Sequence, residues 1–379
     1  MGKRSLLLVT LIMVVFATAC VKETYNMNKL AKENQLSPTW AISAVKGDVL
    51  FSDMVKPTDT IVFDQNKLVT LIFKKDSIVD LKLSDFSKGT IVKTATIDPG
   101  TFDVNIEDIF SHITGDFQII SPVLKLNYSN SFADSVKINL NVNGKRGAST
   151  VNLNLAPFKL VKPNIPVQQV VNATYIIDKT NSNLPALISL PPSFLNYSGS
   201  ATLTSQVKSG FETTDLLTAG KMSGSLQLEI PMELKINNLV YADTVKNFIK
   251  SDSTSKDNMK PEDFDLLRIN LTANNGFPLG VSVKLILFDS RTKTKIKTID
   301  ATSLLSPAPV DANGKANGTT ESKTTIEFNK DFFSSVDKAD KIIFNFTLNS
   351  TSNGIVRIYS DYRISFTASL VVKPVLNLN

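Results

Sequence analysis

The chain has one cysteine, one histidine and one tryptophan among 379 residues. A single thiol excludes an intrachain disulfide framework and any cysteine-based zinc site, since both need at least a second sulfur. His112, in the run IEDIFSHI, has no companion histidine to share a metal with. No partner pattern around it marks a general base, and it reads as a partly buried residue at a helix end. No phosphate-cradling glycine loop, dinucleotide fingerprint or nucleophile elbow occurs. Charge of one sign is also lacking. There are 41 basic and 35 acidic residues, for a formal +6. The basic residues form no block and do not interleave with aromatics, which removes nucleic acid as an expected partner. Together these absences point to a non-enzymatic chain with no cofactor and no metal.

What is present begins at the N-terminus. Lys3 and Arg4 form a basic start, Leu6 to Phe16 an apolar run broken only by Thr10, and Ala17-Thr18-Ala19 a set of small residues before Cys20. This is the three-part pattern of a secretory signal peptide. The apolar run falls short of the roughly 20 residues that span a bilayer. Ala-Thr-Ala-Cys resembles a bacterial lipobox, with Ala where Leu or Val is commoner. The resemblance implies removal of residues 1–19, diacylglycerol on the Cys20 sulfur, and acylation, such as by palmitate, of the new amino group. Loss of Lys3 and Arg4 leaves 39 basic against 35 acidic residues, a formal +4. Residues 20–38 are polar without an apolar period and read as a lipidated, flexible tether. Lys22-Glu23 resembles, incompletely, the acidic signal that sends lipoproteins of Bacteroidota to the cell surface. The expected location is therefore the outer membrane of the cell envelope, on its surface or its periplasmic face.

From Trp40 onward period-two alternation dominates. Val136, Ile138, Leu140 and Val142 alternate with polar residues, and Val151, Leu153 and Leu155 follow an Asn143-Gly144 turn signal. Leu226 to Ile236 alternates without a break, and Pro231 on its polar side marks it as an edge strand or a bulge. Ile342, Phe344, Phe346 and Leu348 make another strand. Val356 to Val372 would be a ribbon of about 50 Å, so it either bends near Ser360-Asp361 or belongs to a long curled sheet. Short helices are expected at 104–113, at 183–190 behind an asparagine cap with Pro185, and at 331–336. The fold class is all-β: two antiparallel sandwich-like units in tandem, at 39–215 and 216–379, with a long curled sheet shared between them as the alternative.

Two segments look alike. Leu124 to Ser129 precedes Asn130 and Phe132, and Leu267 to Thr272 precedes Asn275 and Phe277, each followed by a Val/Ile/Leu alternation. They mark a candidate duplication with a boundary near 210–220. The runs NGFPL at 275–279, LILFD at 285–289 and PAPVDANG at 307–314 resemble uncharacterised lipoproteins of Bacteroidota, a likeness that implies no known activity. The 267–289 segment also resembles the water-stress domain of late-embryogenesis-abundant proteins, which implies a seven-stranded sandwich.

The remaining candidates are local. Glu107 with Asp108 and Asp263 with Asp265 are adjacent or near-adjacent acids that read as solvated faces. Asp311-Ala-Asn313-Gly314 begins like a calcium loop but lacks its later acids, and two Asn-Gly steps favour turns. Trp40 reads as a core plug rather than a sugar platform. Asp-Ser/Thr steps at Thr60, Ser77, Ser135, Thr244 and Ser253 resemble the O-glycosylation motif of Bacteroidota. The leading functional expectation is an anchored lipoprotein that binds an envelope protein or has a structural role. A carrier that holds lipid or another apolar ligand in a groove between sheets is the second, and glycan capture the third.

Overall fold

The computed structural model describes residues 39–86, 92–106, 113–132, 134–164, 169–204, 220–246, 264–336 and 338–374. In chain order the elements are β1 (Trp40–Leu50), α1 (Phe51–Met54), β2 (Ile61–Phe63), β3 (Val69–Lys82), β4 (Val92–Asp103), β5 (Ile113–Ile119), β6 (Val123–Asn130), β7 (Ser135–Arg146), β8 (Ser149–Asn152), β9 (Phe158–Lys159) and β10 (Val171–Ile177). There follow α2 (Leu184–Ser189), β11 (Phe194–Thr204), β12 (Lys221–Pro231), β13 (Glu233–Lys246), β14 (Phe264–Asn275), β15 (Leu279–Asp289), β16 (Thr294–Leu305), β17 (Thr320–Asn329), α3 (Lys330–Val336), β18 (Lys341–Ser350), β19 (Ile355–Arg357) and β20 (Arg363–Pro374). Every pairing of these strands is antiparallel, as half-buried alternation requires. No helix among the described residues is long and apolar enough to cross a membrane.

The strands form four sheets, β10-β6-β12-β3-β2, β4-β11-β7-β8 with β9 beside β7, β1-β20-β14-β17, and β16-β15-β18-β13 with β19 and β5 beside β13. The first two sheets make one sandwich and the last two another. The orders coincide strand for strand: β10-β6-β12-β3 corresponds to β17-β14-β20-β1, and β4-β11-β7-β8 to β13-β18-β15-β16. The helices α2 and α3 fall at the same place in each series, before β11 and β18. This is one topology used twice. The expected duplication is present, with four strands per matched sheet rather than seven strands per unit.

The pairing redistributes two strands across the expected cut between 215 and 216. β1 lies against β20, with Trp40 opposite Val372 and Leu50 opposite Arg363. β12 lies between β3 and β6 in the first sandwich. The first sandwich is therefore inserted between the first two strands of the second. The unbroken alternation at 226–236 hides this, because the chain changes sandwich at Met232 without losing its period. Periodicity reports which residues are apolar on one face, and it does not report which sheet supplies the partner. Pro231 is at the last residue of a central strand, not on an edge. β6 has stopped pairing at Glu229 opposite Val123, so no ladder bond from β6 is lost there.

Other local expectations shift for similar reasons. Asn143 and Gly144 lie inside β7, opposite Asn196 and Leu195, and the turn comes at Gly147, whose φ is +54°. Asn183 stands at the N-terminus of α2, with Pro185 in its first turn, but its side chain does not cap that helix. The amide instead accepts from the Asn154 N–H at 2.6 Å and donates to the Asn152 carbonyl at 2.9 Å, tying down the strand after β8. The C-terminal ribbon is broken into β19 and β20 around Ile358–Tyr362, which settles the choice in favour of a bend. The helix expected at 104–113 falls mostly on residues outside those described, as do His112, Glu107, Asp108, Asp263 and the boundary region 210–219.

The shared topology carries a shared corner. Asn130 and Asn275 end β6 and β14 and are both 0% exposed. Each amide oxygen accepts the backbone N–H two residues on, from Phe132 at 3.0 Å and Phe277 at 2.9 Å. Each amide nitrogen donates to a carbonyl of the loop that leads to the next strand of its own sheet, Val161 at 2.9 Å and Ser306 at 2.8 Å. A buried amide is tolerated only when its groups are paired, and here the pairing fixes the turn by which the chain crosses to the opposite sheet.

Candidate functional site

The two sandwiches differ in how well they close. In the first, inward and outward positions separate cleanly. Leu124, Leu126 and Tyr128 of β6 are buried between half-buried neighbours, and Val136, Ile138, Leu140 and Val142 of β7 are buried between mostly exposed ones. Met222, Leu226, Leu228 and Ile230 of β12 complete the wall, and Leu184, Leu187 and Ile188 of α2 are fully buried against the same core. This interior is one continuous apolar cluster, which runs on into Leu234 and Ile236 of β13.

In the second sandwich β17 keeps an alternation, but it is lost along β14, β18 and β20. Along β18 every residue from Lys341 to Asn349 is half-buried, and along β20 the same holds from Ile364 to Val371. β14, the central strand between β20 and β17, is half-buried from Asp265 to Thr272. Registers place Leu267, Ile269 and Leu271 in line with Val372, Leu370 and Ala368 across the sheet, on the face shared with Ile326 and Phe328. On the opposing sheet Ile342, Phe344 and Phe346 pack with Val283 and Leu285. Tyr241 stacks on Phe346 with ring centroids 6.3 Å apart, and Phe344 lies a further 6.3 Å along. The two faces meet on the β17 side, where Ile326 and Phe328 pack with the same cluster, yet the side chains of β14, β20 and β18 retain access to solvent.

The opening lies toward β1 and β13. Val45, in register with Ala368, is 39% exposed, and Trp40, in register with Val372, is 43% exposed. Trp40 is thus no core plug. It stands at the first residue of β1, beyond which no further strand of the sheet lies among the described residues. The opposite flank is closed, since Phe332 of α3 and Leu287 are buried together against Ile296, Ile299 and Phe328. The partly exposed apolar positions of β14, β20 and β1 on one side and of β18 and β13 on the other are the two walls of what we term the cleft. Tyr241 and Asp243 lie on its β13 wall. Burial there pushes the Tyr241 hydroxyl above its ordinary pKa, with the Asp243 carboxylate adding to the effect.

The end of the cleft next to the first sandwich is sealed by Ile355–Tyr362. This segment donates from Ile358 N–H to the Met232 carbonyl at 2.9 Å, and the Ile358 carbonyl accepts from Val69 at 3.0 Å. Phe277, Tyr362 and Tyr359 pack there edge to face, and Phe51 lies tilted against Phe277. The Tyr362 hydroxyl accepts the Ala316 N–H at 2.8 Å, and burial raises its pKa to about 12. The joint between the sandwiches is therefore made of backbone bonds, aromatic packing and the main core itself, which continues into Leu234, Ile236 and Val356.

Two polar hollows also occur. One, of about 500 Å³, lies on the outer face of the first sandwich among Asp76, Ser77, Asn127, Ser129, Thr174 and Ser225. Its hydroxyls and amides bond partly to each other, as in Thr174 to Asn127 at 2.7 Å. The other, of about 520 Å³, lies where Asp116, Gln118 and Lys235 face Arg146 and Ser189.

The residues singled out from sequence scatter over the surface. Thr60 is exposed before β2, Ser77 is exposed in the β3 bulge at φ +54°, Ser135 starts β7 half-buried, and Thr244 is exposed on β13. Cys20 and Ser253 lie outside the described residues. Asp311 is engaged as a turn former, accepting the N–H groups of Asn313 at 2.8 Å and Lys315 at 2.9 Å with Gly314 at φ +76°. No cluster of three metal-ligating side chains occurs among the described residues. The cleft itself escaped residue-by-residue reading, because its walls carry the same alternation as a closed core.

No protein-family model matches the chain, and no curated protein matches it. Among solved structures, a candidate secreted protein from Parabacteroides distasonis is similar with a TM-score of 0.51 at 16% identity, over 88% of this chain and 99% of that one. A tandem carbohydrate-binding module pair from Paenibacillus barcinonensis reaches only 0.19 at 9% identity, over 79% of this chain and 98% of that one. An infectious bursal disease virus structure reaches 0.22 at 9% identity, over 84% and 47%. The first likeness shows that the all-β architecture is shared with a Bacteroidota protein; the other two are too distant in shape to carry an argument.

Proposed function

We propose that this protein is an extracytoplasmic, non-enzymatic lipoprotein of the cell envelope that holds an apolar ligand, such as a lipid acyl chain, in the cleft of its C-terminal sandwich. The observation that carries the reading is the loss of burial alternation along β14, β18 and β20, set against its presence in the matched β6 and β12 of the first sandwich. A fully buried Leu, Ile or Phe contributes about 1.5–3 kcal/mol, so each half-solvated wall residue forgoes on the order of 0.5 kcal/mol. An apolar guest lying between Leu370 and Phe346 would recover that term from several walls at once.

The walls also fit the guest chemically. Leu267, Ile269, Leu271, Leu370, Phe344 and Phe346 offer no hydrogen-bonding side chain, whereas Tyr241 and Asp243 at the β13 wall could meet a polar head. The signal pattern and lipobox-like Cys20 support placement outside the cytoplasm and attachment to the outer membrane.

The reading is tested with the mature body carrying Cys20→Ala, purified without detergent. Native mass spectrometry is expected to find a co-purifying lipid, and a fluorescent fatty acid should bind with loss of affinity of at least tenfold in Leu370→Asp. Protein that emerges bare and takes up no fatty acid would overturn the cleft reading. The anchor is tested separately, since Cys20→Ala should also move the full chain from the membrane to the soluble fraction. Intact mass of native protein tests sugar at Thr60, Ser77, Ser135, Thr244 and Ser253.

A further inference from the structure

The cleft and the chain's connectivity together narrow the choice of guest. β1 starts at Trp40, and its exposed ring stands opposite Val372 at the end of the cleft away from the first sandwich. The chain that enters there is the one that leads from Cys20. We propose that the cleft is an intramolecular seat for an acyl chain carried on Cys20, occupied when the protein is away from a bilayer and vacated on membrane insertion. This rests on the readings of the cleft as an apolar site and of Cys20 as lipidated.

Reach and length allow it. Nineteen residues lie between Cys20 and Trp40, so the cysteine can lie anywhere within about 70 Å of the mouth. The apolar wall from Ile364 to Val372 runs about 30 Å at strand spacing. Both the seat and a membrane surface below it are therefore accessible to the same anchor. A guest tied to the protein by so short a chain meets the cleft at an effective concentration in about the millimolar range, far above that of free lipid in water. The tie also selects among guests. Once out of a bilayer, a free lipid is diluted into water, whereas the tethered anchor stays within reach of the cleft and has no other apolar surface near it except another copy of the protein. The polar sequence VKETYNMNKLAKENQLSP contributes no apolar run of its own to compete for the walls.

The test uses the full lipidated chain. Cells are fed a fatty acid bearing a diazirine, the protein is exchanged at low concentration into detergent-free buffer, and the sample is irradiated. The expected result is a monomer whose acyl chain is cross-linked to β14, β18 or β20 of the same chain. The yield should fall at least tenfold in Leu370→Asp and stay unchanged in Val371→Asp, the outward neighbour on the same strand. An equal loss in both variants, each with the far-ultraviolet circular dichroism and unfolding midpoint of the parent, would overturn the assignment. Adducts only to other copies or to phospholipid would overturn the seat, while fatty-acid uptake by the Cys20→Ala body would leave the cleft reading standing. If that body takes up none, both fail. An intact mass without acyl groups would overturn the seat whatever the cleft binds.

Discussion

The two sandwiches share strand order, helix placement and a buried asparagine corner, and still one is closed and the other open. The chain path explains part of the difference. In the first sandwich, β3 and β4 follow one another in the chain, and Ile78, Val79 and Leu81 at the end of β3 and Phe86 just after it are buried in the core. Their counterparts β1 and β13 are separated by the whole inserted sandwich, so no short connection draws those two edges together. The helices reinforce the contrast. α2 buries Leu184, Leu187 and Ile188 in the first core, while α3 seals only the flank around Leu287. Duplication supplied two frames, and the insertion removed the closing passage from one of them.

Matched substitutions test that contrast most directly. Leu228→Ala in the first core should cost about 2–5 kcal/mol, because a buried interior cannot refill the space. Leu370→Ala, at the corresponding central strand of the second sandwich, should cost about 1 kcal/mol or less, since solvent already reaches the site. Urea unfolding of the unlipidated body measures both, and equal costs would break the comparison by showing two closed cores.

The asparagine corners should behave alike where the cores do not. Asn130→Ala and Asn275→Ala each leave buried backbone groups without a partner, at about 1–3 kcal/mol per group. Their unfolding midpoints should shift by similar amounts, and a large inequality would mean that the corner is built differently in the two copies.

A third prediction concerns the joint. Burial raises the Tyr362 pKa from 10.0 to about 12 in the folded protein, so the neutral hydroxyl is the form the fold favours. Its contribution is fully present below pH 10 and is lost as pH rises through about 12, by roughly 1–2 kcal/mol. Stability measured from pH 9 to pH 12 should fall across that window, and Tyr362→Phe should flatten the fall. The smallest effect is expected at Lys67–Asp361, an exposed ion pair of 3.0 Å beside the joint. Lys67→Ala should change stability by less than about 1 kcal/mol, with the difference vanishing in high salt.

Much of this was legible before any coordinates. The alternation at Val136–Val142 and at Ile342–Leu348 marks strands with one apolar face, and the paired Leu…Asn…Phe segments expose the duplication. Those signals are local, and a period of two is written in adjacent residues. The Asn143-Gly144 step misled because turn chemistry is equally local, and the register with β11 overrode it. The run at 226–236 misled for the opposite reason, since its period is continuous while its partners change at Met232. Trp40 was misjudged because its apolar neighbours say nothing about whether a strand lies beyond it.

The cleft illustrates where the sequence stops. Apolar alternation along β14, β18 and β20 determined that each strand has a face needing cover, and the polar residues between determined that the other face meets water. Whether two such faces meet is a property of the sheets as bodies, set by which edges the chain ties together. The sequence thus determined strands, faces and the repeated corner. Only the tertiary structure decided that the first copy sits inside the second, and that the outer one is left open.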